Sequence, residues 1–144
     1  MRLPQPVPGL VVRYSFLWRR EHEAGREEGS KDRPCAVIIS KATDEGDQRV
    51  YVLPITHSPP QEPDAAIEIP AGVKRHLGLD SDRSWIVLDE VNDFLWPGFD
   101  LRSVPGSDPA RPDHGLLPPR FFARVRDAFV ALYRQRRVRV TPRS

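Results

Sequence analysis

Short apolar runs bounded by proline, glycine and charge dominate the chain, and their lengths predict strands rather than helices. Residues 9–18 form the first, with Val12, Tyr14 and Phe16 alternating against Arg13 and Ser15. Within 33–40, Cys35, Ala36, Val37, Ile38 and Ile39 make an unbroken apolar run. It is too short for a buried helix and suits a strand covered on both faces. Pro34 lacks a backbone donor and belongs at that strand's start. Residues 49–55 predict a partner strand with Pro54 near its end, and the turn-forming Asp44, Glu45, Gly46 and Asp47 join the two. Further strands are predicted at 65–69 and 84–91, the second closing on the paired carboxylates Asp89 and Glu90.

The period changes to helical in two places. Residues 70–78 predict one or two turns opened by Pro70 and closed by Gly78. Pro118 and Pro119 open a helix running to about Gln135, with Phe122, Val125, Phe129 and Leu132 on one face. Arg134, Arg136 and Arg137 complement the negative end of its dipole. Between these elements, 1–8 read as an extended lead-in, 19–32 as a long mobile loop and 92–102 as a turn around Trp96, Pro97 and Gly98. Residues 103–115 read as a loop and 137–144 as a basic tail. One domain over 1–144 is predicted, mainly β with a C-terminal helix, its sheet bent into a small barrel on which the helix packs.

Composition narrows the function classes. The chain of 144 residues can bury a core, and its 16 prolines point to a loop-rich protein. No apolar stretch is long enough to span a bilayer, and the first residues lack the apolar core of a signal peptide, so a cytoplasmic location and no membrane are expected. With Cys35 as its one cysteine, the sequence has no internal disulfide and no thiolate metal site. Its place inside an apolar run makes it a core residue, not a nucleophile. Net charge is +2, yet eight arginines against one acid, Asp127, crowd residues 120–144. That asymmetry suits a polyanionic or acidic partner, and equally a solvated helix face.

The candidate chemistry lies at two strand ends. Arg33 stands just outside the apolar run, and a guanidinium held there can fork onto phosphate or serve as a salt-bridge partner. The strand at 49–55 delivers Thr56, His57 and Ser58. If the two strands pair antiparallel, the start of one lies beside the end of the other, and Arg33 meets Thr56. His57 has the intrinsic basicity of a proton acceptor. It joins Thr56 only if the chain leaves extended geometry there, since successive strand residues face opposite ways. Asp89 and Glu90 can accept from a base edge or orient Arg33, or simply end a strand. Trp18 and Trp96 can stack on bases, or belong to the core. His22, His76 and His114 read as loop or surface residues, His114 in a flexible loop.

The pattern resembles the MazF/PemK family of toxins from type II toxin–antitoxin modules. The carriers are Gly9-Leu10-Val11-Val12, Lys31-Asp32-Arg33-Pro34-Cys35-Ala36-Val37-Ile38-Ile39-Ser40 and Val52-Leu53-Pro54-Ile55-Thr56-His57-Ser58, followed by Gly78-Leu79 and Ser84-Trp85-Ile86-Val87-Leu88-Asp89-Glu90-Val91. The resemblance implies an SH3-like barrel and a homodimer. It also implies an mRNA interferase: an endoribonuclease that cleaves single-stranded RNA with no metal or other cofactor, and functions in plasmid maintenance. By the same resemblance Arg33 and Thr56 are catalytic. Around them, the chemistry of the residues themselves offers His57 or Ser58 as a general base or RNA contact, and Lys31, Asp89, Glu90 and Trp96 as RNA contacts. An acidic antitoxin is the expected protein partner. The chain departs from the family in its loop at 19–32, in its expanded segment 59–82 and in Asp89-Glu90 where aspartate-glutamine is usual. Two other readings stay open on the same scaffold: a non-enzymatic toxin like the gyrase inhibitor CcdB, and an inactive relative that keeps only nucleic-acid or antitoxin binding.

Overall fold

In the computed structural model the described residues are 2–27, 29 and 31–143. Alternation along two adjacent strands builds the core. Strand β2 (Arg33–Ala42) pairs antiparallel with β3 (Gln48–Thr56), and β1 (Leu10–Tyr14) lies on the other side of β2. Ala36 and Ile38 of β2, Leu53 and Ile55 of β3 and Val11 of β1 face one apolar cluster. Cys35 and Val37, Val50 and Val52, and Leu10, Val12 and Tyr14 face a second. The run at 35–39 is thus covered on both sides, as its unbroken apolarity predicts. A bulge at Ile38 sets Val37 opposite Val52 but Ile39 opposite Tyr51, so Ile38 and Ile39 both serve the first cluster.

Helix α3 (Pro119–Arg134) closes the first cluster with Phe121, Val125, Phe129 and Leu132. Full burial of four such side chains stabilises by about 6–12 kcal/mol, so docking rather than intrinsic propensity holds the helix. Phe121, not Phe122, leads that face: Phe122 is half-buried and its ring lies against Gly9. Tyr14, Phe16, Trp18 and Phe94 fill the second cluster, with Tyr14 stacked on Phe94 at 4.5 Å between centroids.

The remaining strands branch from this centre. β3 pairs with β6 (Glu90–Leu95) through residues 49–52 and with β5 (Trp85–Val87) through Ile55 and Thr56, and β5 pairs with β4 (Ala66–Glu68). β1 pairs with β7 (Leu101–Arg102) and with β8 (Asp113–Leu116). β9 (Arg139–Pro142) runs parallel to β6. Among the described residues no pairing joins the outer strands to one another, so the sheet is open where the sequence predicted a closed barrel. β1 and β3 each divide their outer edge between two partners, β7 and β8 for β1 and β5 and β6 for β3.

Several segments differ from their predicted state. The loop at 19–32 carries a short helix, α1 (Arg19–Glu23), while its residues 28 and 30 lie outside the described set. The strand expected at 84–91 is two strands interrupted at 88–89, because β5 and β6 pair with different stretches of β3. Strand β8 takes up the last three residues of the expected loop 103–115 together with Leu116, and His114 is in it. The basic tail is β9 plus Arg143 (residue 144 is outside the described set), and Arg143 is buried, not solvated. The proline-rich lead-in, described from residue 2, ends packed, with Pro6 buried and the Gly9 amide on the Val37 carbonyl at 2.8 Å. Helix α2 (Ala71–His76) matches its prediction, down to Gly78 at φ +67 just past its end. No helix among the described residues is long and apolar enough to cross a membrane.

Candidate functional site

The β2–β3 register decides the site. Cys35 sits opposite Pro54, and two more residues along each strand place Arg33 opposite Thr56. Both continue the rows of their strands that face the aromatic cluster: Arg33 precedes Cys35 by two, and Thr56 follows Val52 by four. The two side chains therefore share one end and one face of the sheet. Both line two adjoining clefts of about 380 and 540 Å³, and Lys31 is the third residue common to them. A cleft of similar size between residues 2–4 and 107–113 also holds Arg2, Arg111 and Ser107, but both arginines are exposed and the Ser107 hydroxyl is already bonded to the Val104 carbonyl and the Arg111 amide.

Arg33 is 8 % exposed and firmly oriented. One amino group donates to the Ile55 carbonyl at 3.3 Å, and the guanidinium lies 5.2 Å from the centroid of Trp18. Its Nε is buried and has no acceptor among the described residues. Burial lowers the Arg33 pKa, with Cys35 and Glu21 opposing; a guanidinium remains charged all the same. Trp18 stands at the start of α1, where its amide donates to Glu21 Oε1 at 3.2 Å, and Arg20 approaches the same ring at 5.3 Å. Sequence reading left Trp18 between base stacking and core; it is buried as a platform for two guanidinium groups.

Strand β3 ends at Thr56, and the chain bends at His57 and Ser58. The bend is fixed by Thr56 Oγ1, which accepts from the Ser58 amide at 3.2 Å. Extended geometry is thus left at the one position where Thr56 and His57 can come to one cleft, and both line the smaller one. There His57 Nε2 bonds Asp80 Oδ2 at 2.9 Å, and Asp80 Oδ1 accepts from Lys74 Nζ at 2.7 Å. Lys74 is buried, and also donates to Ser84 Oγ at 2.7 Å and to the Asp82 carbonyl. Lys74 first, then His57, hold the Asp80 carboxyl below the usual carboxylate range. Donor atoms of His57, Asp80 and Asp82 lie within 4.8 Å of one another. The Lys74 ammonium already sits among them, and its charge opposes a metal ion there.

Asp89, Glu90 and Ser58 line the larger cleft with Trp18 and Arg20. Burial raises both carboxyls, and Glu90 Oε1 accepts from the Arg19 amide at 2.7 Å. Instead of ending one strand together, Asp89 occupies the break and Glu90 begins β6. Trp96 is not in either cleft. Its amide reaches Gln48 at the start of β3, eight residues or roughly 26 Å from Thr56, and its ring stacks on Phe94. His114 is the converse case. It lines the smaller cleft with Arg13, its Nε2 is buried without a partner among the described residues, and burial, reinforced by Arg13, lowers its pKa to about 4. A histidine among Pro, Gly and Asp gave no signal of this; only the pairing of β8 with β1 brings it there.

The fold and this groove define a small, mainly antiparallel β protein with a terminal helix and a cationic cleft at one sheet end. The chain belongs to the PemK-like, MazF-like toxins of type II toxin–antitoxin systems: that family's model matches residues 15–94, which include Arg33, Thr56, His57 and Asp80. Comparison with curated proteins and with solved structures gives no match for the chain.

Proposed function

We propose that this toxin acts as an mRNA interferase, a metal-independent endoribonuclease that cuts single-stranded RNA with Arg33 and Thr56 at the reacting phosphate. The observation that carries the reading is their position, opposite each other on the saddle between two clefts. A phosphate seated there leaves one cleft for each flanking nucleotide. Arg33 places a fixed positive charge at that point, which stabilises the phosphorane that forms when the 2′-oxygen attacks phosphorus. Thr56 fixes the phosphate by hydrogen bonding, and Lys31 adds a second cation on the same saddle. Asp89 and Glu90 accept from base edges in the larger cleft, where Ser58 is a further RNA contact. Trp96, at the far end of β3, has no part in this cleft.

The remaining features belong to the same proposal. Residues 1–144 act as one PemK/MazF-like domain, an opened relative of the SH3-like, CcdB-like scaffold, as a cytoplasmic homodimer. An acidic antitoxin segment occupies the groove in place of RNA. Plasmid maintenance is the corresponding biological role.

Arg33→Ala and Thr56→Ala test the reading. Each abolishes RNA cleavage and growth arrest while the variants keep the far-ultraviolet spectrum and thermal transition of the folded protein. Single variants that cut at the wild-type rate overturn it. Inhibition of DNA gyrase with RNA left intact identifies the CcdB-like alternative, and binding without turnover on any RNA identifies the inactive relative.

A further inference from the structure

Arg33 and Thr56 leave one task of RNA cleavage undone, since a guanidinium stays protonated and a threonine hydroxyl is not a base at neutral pH. Of the two imidazoles in the smaller cleft, His114 has its Nε2 buried while His57 adjoins Thr56 and faces solvent, and two residues far along the chain govern the orientation of His57. Asp80 bridges His57 and Lys74, one carboxylate oxygen to each, at 2.9 and 2.7 Å. Lys74 in turn is nearly sealed, its side chain 6 % exposed while those of His57 and Asp80 are 52 % and 53 % exposed. It rises from α2 and also ties the Asp82 carbonyl and Ser84 hydroxyl, so the 80–84 loop and its carboxylate are pinned from beneath. The solvent-facing imidazole thus rests on a buried support.

We infer that His57 is the general base of the cleavage, with Asp80 and Lys74 as the positioning residues that fix its tautomer. An ionised Asp80 accepts only, so His57 must carry its proton on Nε2. The lone pair is then on Nδ1, which makes no hydrogen bond among the described residues. The same logic orients the imidazole in carboxylate–histidine catalytic pairs generally. In the step proposed, Nδ1 takes the proton of the ribose 2′-hydroxyl and O2′ bonds to phosphorus. The bond from phosphorus to O5′ breaks, and O5′ takes a proton from solvent water in the open groove. The products are a 2′,3′-cyclic phosphate and a 5′-hydroxyl, and the imidazolium returns its proton to solvent. Lys74 acts at a distance: without it the Asp80 carboxylate loses the partner that holds it toward His57.

This inference rests on the ribonuclease reading, and the test separates the two. Cleavage of a single-stranded RNA is followed for wild type, His57→Gln, Asp80→Asn and Arg33→Ala, and the His57 tautomer is read by ¹⁵N NMR in wild type and Asp80→Asn. The expected results are a kcat lower by about 10²–10⁴-fold in His57→Gln, with KM nearly unchanged, and partial rescue of His57→Gly by added imidazole. Asp80→Asn lowers kcat at least about tenfold, less than in a buried triad because the pair is half-exposed, and its His57 no longer holds the Nε2–H form. In Asp80→Asn the Lys74 ammonium keeps the Asp82 carbonyl, the Ser84 hydroxyl and an amide oxygen as acceptors, and a thermal melt checks that the variant is folded. Wild-type cleavage together with a His57→Gln rate equal to it, or an unchanged tautomer in Asp80→Asn, overturns the inference and leaves the ribonuclease standing. A wild-type protein that cuts no RNA overturns both.

Discussion

The guanidinium of Arg33 rests on the indole of Trp18, 5.2 Å from the ring centroid, and the sequence separation of fifteen residues is bridged by helix α1. Trp18 is itself fixed by the hydrogen bond its backbone N–H donates to the Glu21 carboxylate, so the helix acts as a bracket for the cation. Trp18→Leu removes the aromatic face and frees Arg33 to sample other rotamers. A cation–π contact of about 1–2 kcal/mol in a desolvated site corresponds to a loss of roughly tenfold in kcat/KM for RNA cleavage. Trp18→Phe, which keeps a weaker face, falls between. Steady-state kinetics on the three proteins checks the order, with thermal melts confirming that each is folded.

A second relationship ties the chain's end to its beginning. Arg143 donates to the Ser15 carbonyl and to Asn92 Oδ1, both at 2.8 Å, and to Asp100 Oδ2 at 2.7 Å. Asn92, fully buried, uses its amide on both backbone groups of Leu17. The side chain of Arg143 is 2 % exposed and lies over Tyr14. Arg143→Ala removes the nearest cation from Asp100, leaving Arg102 at 3.7 Å, and takes one of two donors from Asn92 Oδ1, at a cost of about 2–3 kcal/mol for the lost charged hydrogen bonds. A thermal midpoint lower by roughly 10 °C is expected. A shift under 2 °C would mean that the cluster is solvated.

These pairings explain which parts of the fold were legible. The strands at 33–40 and 49–55 and their antiparallel register follow from local alternation and a turn, and the register alone brings Arg33 to Thr56. β8 was not legible because Asp113, His114 and Gly115 carry no apolar alternation, and its pairing with β1 skips His114 at a bulge. β9 does alternate, Val138 and Val140 packing on the first cluster between Arg137, Arg139 and Thr141, but so many arginines read as a solvated tail. Trp96 was misplaced for a related reason. A tryptophan in a turn advertises an aromatic ring but not the sheet end where it falls. The Lys74–Asp80 support was invisible as well, because a lysine in a polar helical turn looks solvated until its loop folds over it.

Stability should depend on acid through His114. Its imidazole takes a proton near pH 6.5 in the unfolded chain but at about 4 in the fold, where burial and Arg13 oppose the charge. Between these values the unfolded state binds more protons, so the contribution is complete above pH 6.5 and is lost as pH falls toward 4. Solvent reaches part of the ring, which reduces the effect to about 1–2 kcal/mol. Asp89 and Glu90, raised by burial, act in the opposite sense but equally in wild type and variant. The readout is therefore the stability of wild type minus that of His114→Gln by urea unfolding, which declines by this amount between pH 7 and pH 4. A difference independent of pH would show that the imidazole is hydrated in the fold.

The two helix ends supply the last prediction. After α2, the Leu79 amide bonds the Lys74 carbonyl at 2.9 Å and the Gly78 amide bonds Arg75 at 3.1 Å, with Gly78 in the left-handed region. After α3 the same pair recurs, Arg137 to Leu132 and Arg136 to Tyr133, both at 3.0 Å, but the left-handed residue is Arg136 at φ +58. This closing motif favours glycine because a Cβ in that conformation costs about 1–2 kcal/mol. The Arg136 side chain is exposed and makes no hydrogen bond among the described residues, whereas the neighbouring Arg137 carries the bidentate contact to Asp64. Arg136→Gly therefore relieves strain at no loss of contact. Glycine's greater freedom in the unfolded chain takes back part of the gain, leaving a stabilisation of about 0.5–1 kcal/mol, while Arg137→Gly destabilises. Urea midpoints for the two variants on either side of wild type would verify the assignment, and an Arg136→Gly midpoint below wild type would refute it.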